Sequence, residues 1–289
     1  MQKTVSVIGG DLRSLTLASL MKSDGYSVLI YGFENRPFIY ELEEAKSTNE
    51  ILSSDIIILP LPVSADTLTV NAPFSKREIN LKNLLDNLPE SSIVFGGKFS
   101  REALGQCLDR GILIYDYMDR EELNIANAIP TAEGAIEIAL SQTPYTLHKA
   151  PCLVIGYGRI GKILSDRLKA FGAKVTVSAR KYSDFAMIDA LGFDFIDSRK
   201  LWKTISKYKI IFNTAPAPVL NGDILREISK DALLIDLASK PGGVDFSLAK
   251  ELGLNVVWAL SLPGKCAPIT SGEIIKNTIT NILKEMEES

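Results

Sequence analysis

The segment Gly156-Tyr157-Gly158-Arg159-Ile160-Gly161 constrains this chain more than any other feature. It follows the apolar run Cys152 to Ile155 directly and opens an amphipathic stretch reaching to about Phe171, so the glycines sit at a strand-to-helix turn. At such a turn the first glycine permits a sharp bend, the second lets backbone amides approach a pyrophosphate, and the third lets the helix press on the strand. The helix amino terminus adds a favourable field for the anion. A bare structural turn is the alternative, but a further strand, Lys174 to Ser178, stands at the spacing of a βαβ unit. The turn therefore reads as a dinucleotide site, with Gly156, Gly158, Arg159, Ile160 and Gly161 at its phosphate end.

The rest of the chain extends the same alternation. Strands are expected at Thr4 to Ile8, Ser27 to Tyr31, Asp55 to Leu59, Ser92 to Phe95 and Ile112 to Tyr115. After Cys152 they continue at Lys174 to Ser178, Gly192 to Ile196, Lys209 to Asn213, Leu233 to Asp236 and Asn255 to Trp258. Amphipathic helices fit between them, for example Leu12 to Lys22 and Ser100 to Arg110. The fold class is α/β: two doubly wound, Rossmann-like parallel-sheet domains joined by a crossover helix, with a C-terminal helix packing back. Residues 1–128 form the first domain, Rossmann-like or flavodoxin-like. A connecting segment follows over 129–150, with its helix at Thr131 to Leu140 after Pro130. Residues 151–270 form the nucleotide domain, and 271–289 carry the last helix, whose apolar positions Ile274, Ile275, Ile279, Ile282, Leu283 and Met286 must bury a face.

Composition removes several classes of function. The 289 residues are 46% hydrophobic and 23% charged, which is enough apolar surface for two buried cores. With 32 basic against 35 acidic residues there is no basic field for a nucleic acid. Apolar runs such as Ile56 to Leu59 end far short of the roughly 20 residues that span a bilayer. Val5, Val7 and Ile8 run straight into Gly9, Gly10 and Asp11, so no secretory signal is read and a cytoplasmic location is expected. Three scattered cysteines, Cys107, Cys152 and Cys266, and one histidine, His148, are poor material for disulfides or a metal site, and none is expected.

Coenzyme type should be written at the end of the second strand of the nucleotide domain, where an acidic residue would bond the ribose hydroxyls of NAD. This chain has Val177-Ser178-Ala179-Arg180-Lys181, a hydroxyl and two cations. NADP is favoured, with NAD possible; plain solvated charges at a strand end are the alternative for Arg180 and Lys181. Gly9-Gly10-Asp11 lacks the full spacing, and Asp11 is better read as a helix cap.

Three further loops lie at strand carboxyl ends and are expected to line an interdomain cleft around the nicotinamide. Thr214, Ala215 and Pro216 are small enough to run along a coenzyme, as are Leu237, Ala238 and Ser239. Lys240 and Lys265 are the candidate catalytic cations, suited to gripping a carboxylate, and each could equally be a solvated loop lysine. His148 precedes the glycine-turn strand and reads as a packing or hydrogen-bonded residue. Asp119, Arg120 and Glu121 read as helix-start charges.

The chain resembles the dipicolinate synthase A-subunit family along its whole length. The resemblance rests on Val7-Ile8-Gly9-Gly10-Asp11-Leu12-Arg13, Ile58-Leu59-Pro60, Asn127-Ala128-Ile129-Pro130-Thr131-Ala132-Glu133-Gly134-Ala135, the Gly156 loop, Ser178-Ala179-Arg180, Asp236 to Gly243 and Leu262-Pro263-Gly264. It implies oxidation of a dihydropyridine dicarboxylate from the lysine pathway to pyridine-2,6-dicarboxylate for spores, with the flavoprotein-like B-subunit of dipicolinate synthase as partner. The two substrate carboxylates would meet Arg13, Lys240, Gly242, Gly243 and Lys265. Lys240 stands where the family's serine-arginine-proline-glycine-glycine stretch has arginine, so a planar bidentate clamp is lacking there.

The second domain also resembles the coenzyme domain of D-2-hydroxyacid dehydrogenases and of adenosylhomocysteine hydrolase. The hydroxyacid enzymes use a histidine near the end of that domain, and none lies beyond His148 here. A nonenzymatic NADP-binding regulatory protein remains open, because no obvious general acid or base is present. A homodimer is the default assembly.

Overall fold

The protein is described by a computed structural model covering residues 3–38 and 41–288. The chain divides into two compact units, residues 1–126 with 267–289, and residues 127–266.

Unit 1 runs β1 (Thr4–Ile8), α1 (Leu12–Ser23), β2 (Ser27–Tyr31), β3 (Glu43–Glu44), α2 (Thr48–Leu52), β4 (Ile56–Ile58), α3 (Leu81–Asp86), β5 (Ile93–Gly96), α4 (Arg101–Leu108) and β6 (Leu113–Asp116). The next helix, α5 (Glu121–Gln142), passes out of this unit. The six strands of unit 1 are all parallel, in the order β3-β2-β1-β4-β5-β6. The run Ile56-Ile57-Ile58 is apolar throughout because a parallel strand flanked on both sides buries both faces.

Unit 2 continues with β7 (Pro151–Ile155), α6 (Arg159–Ala170), β8 (Lys174–Ala179), α7 (Tyr182–Ala190), β9 (Asp194–Asp197), β10 (Ile210–Asn213), α8 (Gly222–Leu225), β11 (Leu233–Asp236), α9 (Phe246–Glu251), β12 (Asn255–Trp258) and α10 (Leu262–Cys266). Its sheet is again six-stranded and parallel, in the order β12-β11-β10-β7-β8-β9. The order reverses between β7 and β10, which opens a crevice at the carboxyl ends of those two strands. Two apolar layers sandwich the sheet. Cys152, Val154, Val177 and Phe212 share a core with Leu164 and Leu168 of α6, and Leu153, Ile155 and Ile211 share the other with Leu201 and Tyr208.

The last helix, α11 (Pro268–Glu288), belongs to unit 1. Ile275, Ile279, Ile282 and Leu283 join Leu15, Leu17, Ala18 and Met21 of α1 in one core. Each large apolar side chain buried there contributes about 1.5–3 kcal/mol. Gly272 lets the two helices close, since a Cβ there would lie 2.5 Å from the Arg13 carbonyl oxygen.

Strand ends differ from the sequence reading by one or two residues, the ordinary latitude of such boundaries. The two-residue strand β3, Glu43–Glu44, has no apolar pattern to announce it. The reading of a helix beginning only at Thr131 is corrected: α5 starts ten residues earlier and carries Pro130 inside it. Proline removes one helical hydrogen bond, yet burial of Leu123 and Ala128 before it and of Ala132, Ala135, Ile136 and Ala139 after it holds the helix through that gap.

Candidate functional site

The glycine turn is built by close contacts that exclude side chains at two positions and leave the third open. Gly156 has φ +100°, and a Cβ there would lie 2.6 Å from Thr214 Oγ1. A Cβ on Gly161 would lie 2.1 Å from the Gly156 carbonyl oxygen, so α6 rests directly on the turn. At Gly158 nothing lies within 4 Å of the Cβ position. Gly158 is also the N-cap of α6, and no side chain caps that helix. The turn therefore presents an exposed helix amino terminus beside an open approach, which fits a pyrophosphate. Thr214 closes the opposite side of the crevice, donating through its amide and its hydroxyl to Ile155 O at 2.8 and 2.9 Å.

The two neighbouring strand-end loops are tied together by buried polar groups. Asn213 and Asp236 end β10 and β11 as register partners, and both are fully buried. Asn213 Nδ2 donates to Asp236 Oδ1 at 2.8 Å, and Ala215 exchanges two bonds with the same asparagine side chain. Asp236 accepts further from the amides of Ala238 at 3.1 Å and Gly243 at 2.9 Å. Trp258 Nε1 donates to Ala238 O, and its ring stacks on Phe246 with centroids 4.7 Å apart. A buried carboxylate met by three donors fixes the loop in one shape. Asn213 and Asp236 open two of the loops expected at the site, but their pairing is not evident from the sequence; the available signal is a polar residue closing each of two otherwise apolar strands, Ile210-Ile211-Phe212-Asn213 and Leu233-Leu234-Ile235-Asp236.

Several expected site residues take other parts. Gly242 and Gly243 donate their amides to Ser239 O and Asp236 Oδ2, so they shape the loop instead of offering N–H groups to a substrate. A Cβ at Gly243 would lie 2.1 Å from Asn213 Nδ2. Ser178 is fully buried within β8 and its hydroxyl pairs with Ser198 Oγ at 2.7 Å, so it is not turned toward a phosphate. Ala179 ends the strand, and Arg180 and Lys181 beyond it are exposed. Thr214, Ala215, Pro216, Leu237 and Ala238 stand at strand carboxyl ends, with Ser239 and Lys240 following on the same loop. Lys265 is exposed on the short helix α10 and not in a loop.

Arg13, in unit 1, expected at a substrate carboxylate, already has protein partners. Its Nε and Nη2 grip Asp11 at 2.8–3.1 Å, and Nη2 also donates to Leu61 O at 2.6 Å. Asp11 caps α1, accepting from Arg13 N. The Gly9-Gly10 pair is closed over by its own unit, with Gly10 N donating to Asn71 O. Arg120 pairs with Glu285 and Glu122. His148 is exposed and lies against Gly172, at the amino ends of β7 and β8, the sheet edge opposite the glycine turn. Among the described residues no cluster suited to a metal occurs, and no helix is long and apolar enough to cross a membrane.

Fold and turn together define an α/β protein with a nicotinamide-dinucleotide-binding unit of the dehydrogenase kind. In keeping with this, the NAD-binding domain family of D-isomer specific 2-hydroxyacid dehydrogenases matches residues 131–242. Residues 4–118 match the N-terminal domain family of the dipicolinate synthase A-subunit. The A-subunit of dipicolinate synthase from Bacillus subtilis (strain 168) is 32% identical over 98% of this chain and 96% of its own length. The chain belongs to the dipicolinate synthase A-subunit family. Solved structures agree: the family member from Bacillus halodurans superposes with a TM-score of 0.89 at 31% identity, covering 97% of each chain. The corresponding Bacillus subtilis structure gives 0.89 at 30% identity, covering 100% of this chain and 98% of that one. A transhydrogenase from Sinorhizobium meliloti, at 14% identity and TM-score 0.74 over 98% of this chain and 94% of its own, shares the fold.

Proposed function

We propose that this chain oxidises a dihydrodipicolinate-type intermediate of the lysine pathway to pyridine-2,6-dicarboxylate, with NADP⁺ as acceptor, for use in sporulation. The observation that carries the coenzyme assignment is the end of β8, where Arg180 and Lys181 follow Ala179 and no carboxylate is offered by that strand. Family membership carries the substrate class. Bound coenzyme supplies a hydride acceptor.

The protein's own residues then have simple tasks. Gly156, Gly158 and Gly161 with the amino end of α6, including the Arg159 and Ile160 amides, hold the pyrophosphate; Arg180 meets the 2′-phosphate. Thr214, Ala215, Pro216, Leu237, Ala238 and Ser239 shape the walls of the crevice, held by the Asn213–Asp236 bond. Lys240 and Lys265 attract the substrate carboxylates as point charges. Removing one hydride and one proton makes the ring aromatic, so the reaction carries its own driving force and asks little of a general base. The histidine chemistry of hydroxyacid dehydrogenases is not supported, because His148 lies at the opposite sheet edge.

The Bacillus subtilis relative is described as one subunit of a synthase, which supports a partner polypeptide, assigned here as the flavoprotein-like B-subunit. The test is anaerobic turnover of the dihydro substrate with NADP⁺ or NAD⁺, with and without that partner, read as pyridine-2,6-dicarboxylate by chromatography. Product with NADP⁺ from this chain supports the reading. Coenzyme binding without product under every condition would leave the chain a regulatory nucleotide-binding protein.

A further inference from the structure

Beside Arg180, unit 2 carries a second guanidinium at the same corner of the sheet. Asp197 ends β9 in register with Ala179, the last residue of β8. The turn after Asp197 is latched to β8: Ser198 Oγ lies 2.7 Å from Ser178 Oγ and donates to Ala179 O at 3.0 Å. That latch sets the next residue, Arg199, beside the strand end from which Arg180 and Lys181 emerge. Arg199 folds back on Asp197, donating from its amide at 3.0 Å, from Nε at 2.9 and 3.1 Å, and from Nη2 at 2.6 Å. The carboxylate holds the guanidinium above its usual pKa, and Tyr182, the first residue of α7, adds to that effect. Arg199 is therefore held on the end of β9, next to the residue latched to Ala179. Its side chain is 64% exposed, whereas the Asp197 side chain is 16% exposed.

This arrangement has an electrostatic consequence. Asp197 is the register partner of Ala179, at the strand end where the adenosine ribose of a coenzyme is expected, and alone its carboxylate would repel a 2′-phosphate. Arg199 neutralises it and keeps exposed guanidinium surface for a second anion. A guanidinium has five N–H donors, and Asp197 engages those on Nε and Nη2.

We propose that the Asp197–Arg199 pair sets coenzyme choice: Arg199 supplies a contact to the 2′-phosphate while masking Asp197, whose bare carboxylate would refuse it. The inference deepens the NADP reading above and rests on it. Asp197 then acts as a positioning residue that also competes for Arg199.

The test uses two probes that report the adenosine end alone, adenosine 2′,5′-bisphosphate and adenosine 5′-monophosphate, titrated calorimetrically into the full-length protein. Wild type is expected to prefer the bisphosphate. R199A should weaken bisphosphate binding about ten- to hundredfold, the scale of a lost charge-assisted contact, and change monophosphate binding by less than about twofold. D197N keeps a side-chain oxygen for the turn but removes the charge, so it should tighten the bisphosphate several-fold, and D197N/R199A should recover part of the R199A loss. A wild-type protein with no preference would overturn the NADP reading itself. A preference that survives R199A, equal weakening of both probes, or a double variant no better than R199A would overturn this inference alone.

Discussion

Asn213 and Asp236 are the last residues of two adjacent parallel strands, and the asparagine amide donates to the aspartate across 2.8 Å with both side chains fully buried. Through this one bond the loops that follow β10 and β11 share a common anchor. Asp236→Ala would strand the Asn213 amide and two backbone N–H groups, so it should destabilise unit 2 by about 2–4 kcal/mol. Urea unfolding followed by circular dichroism measures this. A loss below about 0.5 kcal/mol would show that the loops hold their shape without the carboxylate.

The glycine turn separates fold from function at single positions. Gly158→Ala places a methyl in open space, so unfolding should shift by less than about 1 kcal/mol. Coenzyme binding should nonetheless fall at least about tenfold, because the pyrophosphate needs that approach. Gly161→Ala puts Cβ 2.1 Å from a carbonyl oxygen and should damage stability and binding together. Titrating NADPH fluorescence against both variants distinguishes the cases; Gly158→Ala with unchanged affinity would move the phosphate elsewhere.

Lys240, on the loop after β11, and Lys265, on α10, are both exposed. If they draw in the substrate carboxylates, Lys240→Ala and Lys265→Ala should each lower kcat/KM about tenfold or more while coenzyme Kd moves by less than about twofold. Parallel loss of both quantities would assign the lysine to the coenzyme.

Burial alone pushes the Cys152 thiol from 9.0 up to about 12. Its folded state holds the proton that an unfolded thiol loses above pH 9, so its contribution to stability declines as pH rises from about 9 toward 12. Cys107 is buried and raised in the same direction. Cys266 is the exposed thiol, although hydrogen bonds to Leu262 O and Pro130 O hold it. A disulfide reagent at pH 8 should therefore modify Cys266 alone in the folded protein and all three thiols in denaturant. Rapid modification of Cys152 in the native state would contradict its position in the core.

Much of the architecture is legible in the sequence because parallel strands advertise themselves as short apolar runs, and because Gly156-Tyr157-Gly158-Arg159-Ile160-Gly161 has few structural explanations. The early start of α5 is not, since tertiary burial there overrides the local rule for Pro130. The site is legible in outline only. Sequence order shows that Ser178, Gly242 and Gly243 lie near strand ends, but not that their hydroxyl and amides are already bonded to Ser198, Ser239 and Asp236. Asn213, Asp197 and Arg199 acquire meaning only from cross-strand register, which pairs Asn213 with Asp236 and Ala179 with Asp197 across long stretches of chain.

Direct hydride transfer from a dihydropyridine dicarboxylate to NADP⁺ on this protein can be followed with an isotope. A substrate deuterated at the ring carbon that loses hydride, incubated anaerobically with the protein and NADP⁺, should yield pyridine-2,6-dicarboxylate and NADPH carrying deuterium at C4, one per product. Product formed while deuterium passes to water and NADP⁺ stays oxidised would rule out direct transfer to the coenzyme.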